Sequence, residues 1–336
     1  MKISLFGNES PATLLPLRMV IRSVRGSTKD FDIIDKKILP HCPIQPYRPE
    51  VEESYSACLP AYRFHKIIAY YSQVRVKKDA VKRTIFPTGS AALVFRCNLN
   101  RPGAFFVGTP STPREAEYVT PGCDYFLVWF WPGMGYSFFP IPAIETIDQT
   151  CPLDKINTAE AGKITESVLL AQSFQERVAI FERFMERHMA LLPEIPNNLS
   201  SIIATACDRI HVLANEEMES CLGYGERHIR RLFQKYVGIS PILFKRIRRH
   251  QNTLKAMKVL LDRDLAGLAI DQGYFDQSHL IREFKKFLGT TPTQFVREYI
   301  REGHRAIPFW AEPGRNQWAA LADGGIRACR SATCDN

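Results

Sequence analysis

Four absences narrow what this chain of 336 residues can be. It has no run of about 18 apolar residues, so no membrane-spanning helix is expected. Its opening segment, MKISLFGNESPATLLPLRMVIR, is interrupted by Gly7, Asn8, Glu9 and Pro11. It lacks the continuous apolar stretch and small-residue cleavage site of a secretory signal, so the expected location is the cytoplasm. Nine cysteines are scattered (Cys42, Cys58, Cys97, Cys123, Cys151, Cys207, Cys221, Cys329, Cys334) with no C-x-x-C pair. Zinc sites need clustered thiolates and cytoplasmic chains rarely carry disulfides, so buried, reduced thiols are expected. No histidine lies between His65 and His188. A metal-dependent barrel enzyme needs imidazoles grouped with a carboxylate, so neither catalysis nor a metal or other cofactor is expected there.

What is present belongs to an ordinary globular protein, 45% hydrophobic and 24% charged, and long enough for two or three domains. A formal net charge of +9 favours a polyanionic partner. Residues 1–50 are poorly patterned and read as an extension. Residues 51–156 are β-rich, with apolar and aromatic clusters at 69–76, 90–97, 104–108 and 124–131 separated by Pro-Gly turns, the spacing of a barrel or sandwich. Residues 157–198 read as a helical connector. Asn157 with Glu160 and Ser173 with Glu176 fit the capping box, in which two side chains satisfy exposed N–H groups at a helix start. In its second helix Val178, Phe181, Phe184, Met185, His188, Leu191 and Leu192 share one face. That face suits either core packing or a homodimer interface. Residues 199–302 are helical throughout and 303–336 form an irregular tail. The fold class is therefore α+β, a barrel-like β domain followed by an all-α domain.

The all-α region contains a repeat. HIRRLFQKYVGISP (228–241) matches HLIREFKKFLGTTP (279–292) at an offset of 51 residues, and Tyr224 matches Phe275. Each copy places a short helix (about 216–222 or 265–271), a glycine-aromatic turn, and a second helix starting near Gly225 or at Asp276. Each second helix buries an aromatic pair (Phe233 with Tyr236, Phe284 with Phe287) and stops at Gly238 or Gly289. Pro241 or Pro292 opens the next helix, where a missing N–H costs nothing. Two helices joined by a tight turn make a helix-turn-helix unit, whose second helix enters the major groove. The expected base readers are Arg227, Arg230 and Arg231 in the first unit and Gln277, Ser278, His279 and Arg282 in the second. Arg pairs bidentately with guanine and Gln with adenine. Arg231 and Arg282 occupy the shared frame of the repeat, so bracing the fold through a carboxylate is equally open to them. Lys245, Arg246, Arg248 and Arg249 on the connecting helix, with Lys285 and Lys286, are placed to meet phosphates. Residues 200–302 hold 17 Lys or Arg against 12 Asp or Glu.

The region 200–302, and GYFDQSHLIREFKKFLGTTPTQF (273–295) above all, resembles the DNA-binding domain of the AraC/XylS family of bacterial transcription regulators. The resemblance implies seven helices, with one long helix over about 241–258 joining the two units, and insertion into successive major-groove segments of double-stranded DNA. It implies RNA polymerase as a further partner. Gly225 stands where that family often has Ser. Residues 58–154, through IFPTGSAALVF (85–95), FFVGTPSTP (105–113) and FLVWFWPGMGYSFF (126–139), resemble an uncharacterised sensor-like, cupin-like domain found ahead of such DNA-binding domains. That resemblance implies a small-molecule effector or self-association. Tyr125, Trp129 and Trp131, with neighbouring Phe126 and Phe130, either line an effector pocket or form barrel core. Some relatives carry a cysteine-rich zinc acceptor module, but Cys42 and Cys58, sixteen residues apart, cannot by themselves assemble a four-thiolate site.

Overall fold

The structure, a computed structural model, describes residues 45, 52–78, 83–98, 101–139, 141–155, 159–188, 195–196, 199, 202–203, 224–259 and 264–297. Among the described residues of the amino-terminal half there are eight strands: β1 (Glu52–Cys58), β2 (Ile68–Val76), β3 (Thr84–Ile85), β4 (Ala92–Cys97), β5 (Gly103–Val107), β6 (Arg114–Glu115), β7 (Asp124–Phe130) and β8 (Thr150–Pro152). Six make one antiparallel sheet in the order β1-β2-β7-β4-β5-β8, and β3 pairs with β6 in a separate flap. The four apolar clusters became β2, β4, β5 and β7. The strands that sequence reading left out are two or three residues long, or, like β1, a polar edge segment.

Central strand β7 reads as an unbroken apolar run because both faces of the sheet are covered. Phe126, Val128 and Phe130 face one core, and Tyr125, Leu127 and Trp129 face another, which also holds Ile85 and Tyr118. The first core is roofed by α2 (Ala159–Leu170) and α3 (Phe174–His188), which follow a four-residue helix, α1 (Gly135–Phe138). Ser173 Oγ accepts from the Glu176 N–H at 3.2 Å, while the Glu176 carboxylate reaches back to the Gln172 N–H at 2.8 Å. Phe181 is fully buried against Tyr71, Phe95 and Phe126, with ring centroids 6.0–6.5 Å apart. Burial of one such side chain contributes roughly 1.5–3 kcal/mol. The face offered above to a dimer partner is thus used inside the chain: Phe181 and Met185 are inaccessible, while Leu191, Leu192 and Asn157 lie outside the described residues.

The carboxy-terminal half is helical: α4 (Glu226–Leu232), continued by a π turn (Phe233–Val237), then α5 (Pro241–Val259), α6 (Leu265–Asp271), α7 (Gln277–Leu288) and α8 (Pro292–Phe295). The expected helix at 216–222 lies outside the described residues. Asp276 accepts from the His279 N–H at 2.6 Å, whereas Gly225 starts α4 without a side-chain cap. Gly238 and Gly289 both take positive φ, +95° and +79°, as the carboxy-terminal caps expected of glycine. The sheet and the first helix-turn-helix unit pack directly against each other. Phe233, Tyr236, Phe244 and Ile247 belong to the same continuous core as Phe126, Phe130 and Phe181.

Candidate nucleic-acid interface

Helices α4 and α7 bury one face each, through Ile229, Leu232 and Phe233 in the first and Leu280, Phe284 and Phe287 in the second. The opposite faces are exposed and carry Arg227, Arg230 and Arg231 on α4, and Gln277, Ser278 and Arg282 on α7. Lys285 and Lys286 extend the α7 face. Among the described residues neither Arg231 nor Arg282 meets a carboxylate that braces the fold, and the Arg231 guanidinium lies 3.3 Å from His228 Nδ1. His279 is only half-exposed. Its Nδ1 accepts the Phe275 N–H at 3.3 Å, and the Tyr274 ring meets it edge-on at 5.4 Å. Burial and the nearby Arg249 charge lower its pKa, which disfavours a cation at this position of the face.

The carboxylate brace falls to other arginines. Glu283 lies on the buried side of α7 and is met by two residues of α5. Arg246 donates from Nε at 3.2 Å and from Nη2 at 2.5 Å, and Arg249 Nη2 stands 3.7 Å away. Burial alone would push the Glu283 carboxyl up, but the hydrogen bonds and charge of Arg246, with the charge of Arg249, hold it below the usual range. Arg249 also donates to the Gly273 carbonyl at 2.9 Å and lies 4.5 Å above the Tyr274 ring. Beside this latch His250 is fully buried between Phe284 and Phe287, at 5.0 and 5.5 Å, and burial pushes its pKa down to about 3. The expectation that Arg246, Arg248 and Arg249 form an exposed phosphate-binding cluster is therefore corrected. Two of them latch α5 to α7, and Arg248 is fully buried where the β domain covers α5. Lys245 is half-buried. Glu283 itself was legible, since it sits three residues after Leu280 and four before Phe287, on the apolar stripe.

The contact between β domain and helices centres on residues 85–90. Ile85 and Ser90 line a cleft of about 10 Å³, room for about one water, whose wall also includes Val94, Leu127 and Trp129. Phe86, between them, is buried in the core of the second unit with Leu254, Leu268 and Phe284. Gln45 holds the Phe86 backbone through both its N–H, at 3.0 Å, and its carbonyl, at 2.7 Å. The Pro87 carbonyl accepts from Gln251 Nε2 of α5 at 2.9 Å. Gly89, at φ +77°, lies so close to Phe244 that a Cβ there would stand 2.9 Å from its ring. Of the residues offered as a pocket, only Trp129 borders this cleft. The other polar ends serve the fold: Trp131 Nε1 donates to the His65 carbonyl at 2.7 Å, and the Tyr125 hydroxyl accepts the Thr120 N–H. A larger groove, about 580 Å³, runs between α2 and β5 and includes Arg96, Phe105 and Leu169. Cys58 and Cys97 carry thiols whose pKa burial pushes up, that of Cys97 to about 11.

A long helix joining a pair of short ones, each presenting an exposed basic or amide-bearing leading end, defines a DNA-binding protein with tandem helix-turn-helix units. Residues 219–298 match a family of helix-turn-helix domains, and residues 56–152 match a domain of unknown function, DUF6597. Residues 219–298 thus carry a helix-turn-helix domain of the transcription-regulator type. It is 27% identical over 103 residues to the probable transcription factor PqrA of Proteus vulgaris, covering 30% of this chain and 82% of that protein. It is also 39% identical over 49 residues to a subtilisin-like protease of Ictalurid herpesvirus 1, but this covers 15% of the chain and 13% of the protease. ToxT from Vibrio cholerae O395 aligns over 69% of this chain and 98% of its own, at 9% identity and a TM-score of 0.38. An unsaturated fatty acid-bound ToxT from Vibrio cholerae strain SCE256 aligns over 72% and 94%, at 9% identity and 0.35. Likeness at that level carries no argument about ligands.

Proposed function

We propose that this transcription regulator reads an asymmetric DNA site through Arg227, Arg230 and Arg231 in one major-groove segment and Gln277, Ser278 and Arg282 in the next. The observation that carries this reading is the exposure of two chemically different faces at equivalent positions of one repeat. Arg selects guanine, and Gln selects adenine. Lys285 and Lys286 supply phosphate contacts, and Lys245 adds to them from its half-buried position. Bound next to a promoter in the cytoplasm, the protein acts on transcription through RNA polymerase. Footprinting of the full chain on sites enriched from genomic DNA tests this. Protection of two segments about 10 base pairs apart is expected, and protection of one segment only would refute tandem reading.

The β domain, in this reading, senses a small molecule, and residues 85–90 transmit the result. Support comes from their position between the two cores, with Ile85 in the core of the β domain and Phe86 in the core of the second unit. A ligand acts here only if it binds one arrangement of that segment better than another. Self-association of the chain is a second role open to the same domain, through surfaces other than the buried face of α3. If Gln251→Leu, which removes the bond to Pro87, leaves DNA affinity and its response to cell extract small molecules unchanged, transmission through this segment is wrong.

A further inference from the structure

We propose that Phe275 is a further specificity-determining residue, packing its ring against a thymine methyl group in the major groove beside the bases met by Gln277 and Ser278. The inference rests on the reading of α7 as a base-reading helix. Single exposed apolar side chains are common and need no explanation by themselves. Phe275 is set apart by degree, place and rigidity. It is 86% exposed, against 37–64% for the other exposed large hydrophobic residues described. It immediately precedes the N-cap of α7 and begins an exposed run, Phe275, Asp276, Gln277 and Ser278, at the end of the helix that leads into the groove. Its backbone is fixed on both sides. Tyr274 is buried, Asp276 caps the helix, and the Phe275 N–H donates to His279 Nδ1 at 3.3 Å. A ring held outward from a fixed base loses little freedom on contact.

The repeat supplies a comparison. In the first unit Tyr224 occupies the equivalent position, and its ring stacks on His228 at 5.0 Å. In the second unit Tyr274 takes the place beside the histidine, and the Phe275 ring is left facing solvent. A phenyl ring offers no hydrogen bond, so it cannot read a base through donors or acceptors. The thymine C5-methyl is the apolar group that the major-groove edge of a base pair presents.

The test begins with the full wild-type chain and a random-sequence duplex library. The selected site is then remade with deoxyuridine replacing each thymine in turn, which removes one methyl group. Binding of wild type, Phe275→Ala and Phe275→Leu is measured on each duplex. Loss of one buried methyl weakens wild type about fourfold at one position. Phe275→Ala should lose about as much on the thymine duplex and be indifferent to deoxyuridine at that position alone, with Phe275→Leu intermediate. Unchanged affinity for Phe275→Ala, or a loss that persists with every deoxyuridine duplex, overturns the role of Phe275. A wild-type chain that enriches no sequence overturns the DNA reading itself, and this inference with it. An unchanged melting temperature for both variants shows that the fold is intact.

Discussion

The two helix-turn-helix units are copies in one frame, yet the molecule fastens them by different means. The first is set into the β domain. Phe233, Tyr236 and Phe244 share its core, a π turn closes its reading helix, and Gly238 touches Ala143. The second takes a single β-domain side chain, Phe86, into its own core and is otherwise secured by polar devices within the helical half: the Asp276 cap, the Glu283 latch, and the Thr291–Gln294 capping box that starts α8. Apolar docking resists acid and salt, whereas an ion-pair latch yields to acid, so the two units should fail under different conditions.

The equivalent glycines break the comparison most sharply. A Cβ at Gly238 would stand 2.8 Å from the Ala143 carbonyl oxygen, whereas one at Gly289 meets nothing within 4 Å. Both substitutions strain a left-handed residue, costing about 1–2 kcal/mol. Gly238→Ala should cost about 3 kcal/mol in urea unfolding because overpacking adds to that strain. Equal losses at the two sites would mean that the β domain does not press on the first unit. Next in size is Glu283→Gln, which should destabilise by about 2 kcal/mol by leaving two arginines without their carboxylate. Because the Glu283 pKa is depressed in the folded chain, its stabilisation is complete above the ordinary carboxylate range and lost as pH falls through the folded value. Acid unfolding of the variant should therefore be less steep with pH than that of wild type, and parallel curves would remove the latch. Arg230→Ala and Arg282→Ala should each cost about 1.5 kcal/mol at one base position, the first in one segment of the site and the second in the other. Losses spread evenly over all sequences would make them phosphate contacts. The smallest change is expected from Lys285→Ala, a reduction of about 1 in the slope of log affinity against log salt.

Local chemistry was readable in advance. The asymmetric caps of α4 and α7, the two glycine stops, the prolines that open α5 and α8, and the long span of α5 all follow from near neighbours in the chain. Contacts between distant segments were not. Arg248 reads as a surface cation because four basic residues cluster there, but it is buried by a loop about 160 residues earlier. Even so, Phe244, Ile247, Arg248, Gln251 and Leu254 fall on one stripe of α5, and that periodicity outweighs the charge. Tyr125 and Trp131 were ambiguous for a related reason. An aromatic in a strand covered on both faces, like Tyr125, or just past its end, like Trp131, has no sequence mark that distinguishes core from cavity wall, and their hydrogen-bond partners, Thr120 and His65, emerge only with the fold.

The single core that runs from β7 through α3 into α4 and α5 bears on modularity. Regulators with sensor and reader strung on a flexible tether can exchange parts by recombination at the tether. Here a cut near residue 198 would expose Phe233, Tyr236 and Phe244 on one fragment and their aromatic counterparts on the other. The β domain and the DNA-binding half are therefore bound to change together, and a hybrid made with a foreign DNA-binding half would need a matching hydrophobic seam before it could fold.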